Sequence, residues 1–73
     1  MSDRPKPFTV PVRLRELGAE MGQSYWSLRR LVLAGVAPTA RYPDGERILP
    51  DWANRYRRVG LTEDEIERYR TYM

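Results

Sequence analysis

Apolar residues recur at helical spacing along most of this chain, interrupted once by a short stretch that reads as a hairpin. Leu14, Leu17 and Met21 fall at i, i+3 and i+7 and predict a first helix over about Arg13 to Met21. Gly22 ends it, because glycine takes the positive φ that turns the chain. Gly18 lies mid-helix, where glycine costs about 1 kcal/mol relative to alanine. A small residue there lets a second helix approach closely. The second helix is predicted from about Ser24 to Ala34, with Ser24 as N-cap and Leu28, Leu31 and Val32 turned inward. Gly35 closes it and Pro38 keeps it from resuming.

Residues 38–49 follow with a different pattern. Thr39–Tyr42 and Glu46–Leu49 read as two strands around the turn Tyr42-Pro43-Asp44-Gly45, in which each residue type suits its turn position. Pro50 and Asp51 suit the first turn of a third helix over Asp51–Arg58, with Trp52 and Tyr56 inward at i, i+4 and Gly60 ending it. Thr62 and Glu65 form a capping box for a last helix, on which Ile66, Tyr69 and Met73 share a face and Asp64 can pair with Arg68. Ahead of the first helix, Thr9–Val12 is an extended lead-in that lays Val10 or Val12 on the core. Residues 1–8, with two prolines and mixed charges, read as a mobile arm; Arg4 and Lys6 there are either solvated or touch a phosphate. The expected division is an arm at 1–8, a folded body at 9–60 and a C-terminal acidic helix at 61–73.

Charge adds a direction to this layout. Residues 1–61 hold eleven basic and six acidic side chains (+5), whereas 62–73 hold two and four (−2). A basic body points to an anionic partner. Twelve of the thirteen basic residues are arginine, whose planar fork suits phosphates and guanine edges. Without histidine or cysteine the chain lacks the usual general bases, thiolate nucleophiles and zinc ligands, and it has no glycine-rich phosphate loop. We therefore expect neither catalysis nor a cofactor nor a metal. No apolar run approaches the roughly 18 residues of a membrane span. With no apolar secretory segment and no cysteine, the expected location is the cytoplasm.

The second helix carries the strongest candidate chemistry. Ser24, Tyr25, Trp26, Arg29 and Arg30 fall at its start or outside its inward stripe. Arginine can fork onto guanine O6 and N7, discriminating by about 1–3 kcal/mol per good pair. Arg29 and Arg30 point about 100° apart on a helix, so one is expected toward bases and one toward phosphate. Tyr25 can bond a phosphate and Trp26 can press on a thymine methyl; packing of either against the first helix is the competing role. Arg41 and Arg47 flank the hairpin turn, where arginine is drawn to a narrow A·T minor groove. Ordinary solvation of those charges is the alternative. Arg55, Arg57 and Arg58 on the third helix either clamp a backbone or serve solubility.

From Val12 to Tyr56 the chain resembles the excisionase-like branch of the MerR-type winged helix-turn-helix family. The resemblance rests on Leu17-Gly18-Ala19-Glu20-Met21-Gly22, on Ser24, Leu28, Arg30-Leu31 and Gly35, and on Pro38, Asp44-Gly45 and Ile48-Leu49-Pro50-Asp51. Tyr25-Trp26 departs from it, since the family more often has small polar or basic residues there. The resemblance implies a mainly α fold with a small β-hairpin wing, placing the second helix in the major groove of double-stranded DNA. It further implies an architectural role as an excisionase-like recombination directionality factor assisting an integrase or other recombinase, with a small phage-type transcription regulator as the alternative. A reading of another class is an adaptor or inhibitor docking through Tyr25, Trp26 and the C-terminal helix. That helix either supports self-association on DNA or folds back to complete the core.

Overall fold

The computed structural model describes residues 6–72. Among them are four helices and a three-stranded antiparallel sheet: β1 Val12–Arg13, α1 Leu14–Met21, α2 Tyr25–Leu33, β2 Thr39–Tyr42, β3 Gly45–Ile48, α3 Pro50–Val59 and α4 Glu63–Tyr72. The sheet order is β1-β3-β2. The expected hairpin is present, with its second strand one residue earlier than the turn signal suggests. The lead-in is itself a strand, pairing Val12 with Ile48 and Arg13 with Arg47. Of the two valines offered to the core, Val12 is buried and Val10 is exposed.

The turn between α1 and α2 follows from Gly22, which sits at φ 68°. That conformation lets Gln23 N–H reach Gly18 O at 2.8 Å and Gly22 N–H reach Ala19 O at 3.4 Å, a Schellman closure of α1. The same pair of bonds closes α2, from Gly35 to Val32 O and from Val36 to Leu31 O. Gly18 is where α1 nearly touches the α1–α2 turn: a Cβ there would lie 2.7 Å from Gln23 O. The site therefore takes glycine, and alanine is too large.

Leu17, Leu28 and Ile48 are wholly enclosed, one each from α1, α2 and β3, and define the centre of the core. Leu31, Trp52, Ala53 and Tyr56 pack around them. Trp52 stacks on Tyr56 at 4.7 Å, the neighbour that the i, i+4 spacing places beside it. The Gln23 amide donates to the Tyr56 hydroxyl at 2.9 Å, so the α1–α2 turn is anchored to α3.

Both flanking segments also rest on α3. Phe8 exchanges two hydrogen bonds with the Asn54 side chain, at 2.7 and 2.9 Å. Arg57 lies over the Phe8 ring at 4.2 Å and donates to Lys6 O at 2.8 Å. Lys6 and Phe8, assigned to an arm by their sequence, are thus in contact with the body; Arg4 lies outside the described residues. At the other end the capping box forms as expected, Thr62 N–H to Glu65 Oε1 at 2.8 Å and Glu65 N–H to Thr62 Oγ1 at 3.2 Å. Glu65 is in addition buried, accepting from Trp52 Nε1 at 2.7 Å and from Arg55. Burial alone would raise its carboxyl; the hydrogen bonds from Arg55, Thr62 and Trp52 outweigh that and hold it at about 2.

The inner face of α4 consequently differs from the expected stripe. Glu65 and Tyr69 face the body and Ile66 is exposed, while Met73 lies outside the described residues. No Asp64–Arg68 pair forms; Arg68 donates to Gly35 O at 3.1 Å instead, tying α4 to the end of α2. No helix among the described residues is long and apolar enough to cross a membrane.

Candidate nucleic-acid interface

Two stripes run along the outward side of α2. The first is Trp26, Arg30 and Leu33, all exposed and spaced i, i+4, i+7. Trp26 is 65% exposed, which settles its position: it does not pack against α1. Its ring meets the edge of Tyr25 at 5.3 Å, so the two aromatics hold each other at the helix start. Arg30 has no ion-pair partner among the described residues. The second stripe is Tyr25 and Arg29, which turn toward the hairpin.

Ser24 occupies the N-cap position. Its hydroxyl accepts from Ser27 N–H at 3.3 Å, so its first task is to satisfy a free donor of the helix.

Arg29 is drawn away from the outer face. It donates to Glu46 of β3 at 2.8 Å, and Glu46 also accepts from Thr39 Oγ1 at 3.0 Å. The hydrogen bond from Arg29, then that from Thr39, keeps the Glu46 carboxyl below its ordinary range. Of the two adjacent arginines, one therefore braces α2 against the hairpin and the other faces outward.

The hairpin arginines also separate. Arg41 is exposed and has no ion-pair partner among the described residues. Arg47 lies over the Tyr42 ring at 4.3 Å and donates to Asp44 at 3.1 and 3.3 Å. Asp44 takes a second arginine, Arg13, at 3.2 Å.

Between α2, the start of α1 and β3 lies a cleft of about 320 Å³, lined by Arg13, Leu14, Arg15, Tyr25, Arg29, Asp44, Gly45, Glu46 and Arg47. Four arginines face two carboxylates there, a balance of +2 (4 − 2). Arg15 reaches over the Tyr25 ring at 5.9 Å. The structure thus brings Tyr25, Arg29 and Arg47 into one cleft and leaves Trp26, Arg30 and Arg41 outside it. Arg13 and Arg15 join the cleft without having been singled out in the sequence. Their signal was the Arg-Leu-Arg alternation at the start of α1, which exposes both arginines when Leu14 is buried. On the third helix, Arg55 and Arg57 are committed to Glu65 and Glu20, so neither is available as a backbone clamp in this arrangement.

Comparison of the chain with protein-family models, with curated proteins and with solved structures found no match in any of the three.

Proposed function

We propose that this chain is a winged helix-turn-helix protein that binds double-stranded DNA, with α2 in the major groove and the β2–β3 hairpin as the wing on the flanking backbone. The observation that carries the reading is the outward stripe of α2. A tryptophan left 65% exposed at the leading end of a capped helix, beside an arginine with no ion-pair partner among the described residues, is a contact surface looking for a partner. In this reading Arg30 forks onto a base edge, Trp26 presses on a thymine methyl or sugar, and Arg41 meets a flanking phosphate. The body's charge of +5 over residues 1–61 supplies attraction independent of base sequence.

We read the role as architectural, that of an excisionase-like factor that assists an integrase. A transcription regulator of the same fold would use the same surface on different DNA. A second reading has its own support: Leu33, half-exposed at the end of the same stripe, extends an apolar strip with Trp26 that suits a protein groove better than DNA.

Fluorescence anisotropy against pooled duplexes from the source genome, at two salt concentrations, separates the readings. If about four phosphates are neutralised, log affinity falls with log salt at a slope of roughly −3.6. Arg30→Ala weakens binding about five- to one-hundred-fold, the range of one good base contact, and Trp26→Ala weakens it without altering the melting temperature. Preferred fragments beside an integrase gene select the recombination role over a promoter role. No binding at low salt, or variants equal to the parent, would sink the DNA reading and favour a protein partner.

A further inference from the structure

The strand register places two arginines opposite each other. Val12 pairs with Ile48 and both are buried, so by the two-residue alternation Arg13 and its partner Arg47 project from the other face. Like charges directly opposite on paired strands destabilise a sheet. Asp44 relieves this repulsion. Its Oδ2 accepts from Arg13 at 3.2 Å and from Arg47 at 3.1 Å, and its Oδ1 accepts from Arg47 at 3.3 Å. Arg47 is fixed for this role by the Tyr42 ring beneath it, and its buried Nε has no hydrogen-bond partner among the described residues. The result is a two-guanidinium fork holding one small anion at the rim of the cleft.

That anion is weakly held. The Arg13 and Asp44 side chains are 65% and 52% exposed, and exposed pairs contribute little. The neighbouring Arg29–Glu46 pair is more enclosed and has Thr39 as a third member, so it is the brace, whereas the Asp44 fork is exchangeable. A phosphodiester carries the same single charge as a carboxylate and likewise offers two outer oxygens.

We propose that Arg13 and Arg47 form a seat for a backbone phosphate, and that Asp44 is its internal place-holder, which a nucleic-acid phosphate must displace. This deepens the DNA-binding reading and rests on it for the source of the phosphate. It assigns Arg13 a ligand contact and gives the acidic residue at the hairpin turn a restraining effect on affinity.

The test is Asp44→Asn, which retains the turn preference of the position, with Asp44→Ser as a second variant and circular dichroism melts to establish folding. Binding to a 20-base-pair duplex tightens about three- to ten-fold at low salt, while the salt slope stays near the parent's because the same phosphate fills the seat in both. Adding Arg13→Ala to Asp44→Asn abolishes the gain. Asp64→Asn, the same charge change on α4, gives a smaller effect. Equal or weaker binding by both folded Asp44 variants, a gain that survives Arg13→Ala, or an equal gain from Asp64→Asn would overturn the seat while leaving DNA binding intact. If the parent protein binds no DNA, titration of Asp44→Asn with inorganic phosphate decides alone. Saturable shifts of the Arg13 and Arg47 side-chain N–H signals keep the seat with free phosphate as its source, and their absence removes it.

Discussion

Replacing Gly18 with alanine sets two effects of opposite sign against each other. Helix propensity favours alanine by about 1 kcal/mol at an interior position. The structure opposes it: the new Cβ would lie 2.7 Å from Gln23 O, with Leu28 Cδ2 at 3.4 Å and Ser24 O at 3.5 Å. Overpacking typically costs about 1–3 kcal/mol, and relief is cheap only where a flexible side chain can step aside. Here the nearest atom is backbone. It also belongs to the residue whose N–H closes α1 on Gly18 O and whose side chain anchors Tyr56, so a shift at Gln23 loosens both. The cost therefore sits at the upper end of the range, and the net effect is a loss of about 1–2 kcal/mol. For a domain of this size the melting temperature falls by about 5–15 °C. Thermal unfolding followed by circular dichroism measures it directly. An unchanged or raised melting temperature would refute the close approach of α1 to the α1–α2 turn.

Other expectations follow from the side-chain network. The Glu65 carboxyl, held at about 2 in the fold, contributes stability that is fully present above its ordinary value of 4.5 and is lost as pH falls toward 2. This amounts to about 3 kcal/mol at neutral pH, so Glu65→Gln should lower the melting temperature at pH 7 and flatten its dependence between pH 5 and 2; parallel pH curves for the two proteins would contradict it. Asn54→Ala removes both partners of the Phe8 backbone, and a loss of about 1–2 kcal/mol with faster hydrogen exchange at the Phe8 amide is expected. Arg29→Ala should free the hairpin from α2, seen as larger fast-timescale motion of residues 42–46 in NMR relaxation, with little change in the core; an unaltered hairpin would show that strand pairing alone holds it.

The elements that carry local punctuation were readable before the structure. Ser24 and Gly35 bracket α2, Pro50 and Gly60 bracket α3, and Thr62 with Glu65 starts α4, each through a bond or dihedral confined to a few residues. What was not readable depends on distant partners. A two-residue strand such as β1 has no period to detect, and only the arrival of Ile48 and Arg47 makes it a strand. Periodicity assigns the inner face of α4 to Ile66, yet the face is set by Trp52 and Arg55, which reach Glu65 from another helix. The candidate site divides in the same way. Residue type and helical spacing mark Tyr25, Trp26, Arg29 and Arg30 as outward. Which arginine remains available depends on Glu46, seventeen residues away from Arg29 along the chain. Asp44 reads as a turn former, and its hold on Arg13 appears only once β1 lies beside β3.

In a small domain the terminal segments are ordinarily the first to fray. Here both are fastened to one helix, Phe8 by Asn54 and Arg57, Glu65 by Trp52 and Arg55, all four within Pro50–Val59. Opening at either end therefore exposes α3 first, and opening of α3 releases both ends at once. An exchange experiment would find the two segments loosening together when α3 opens, with the Arg68 bond to Gly35 O as a further tie of α4 to α2.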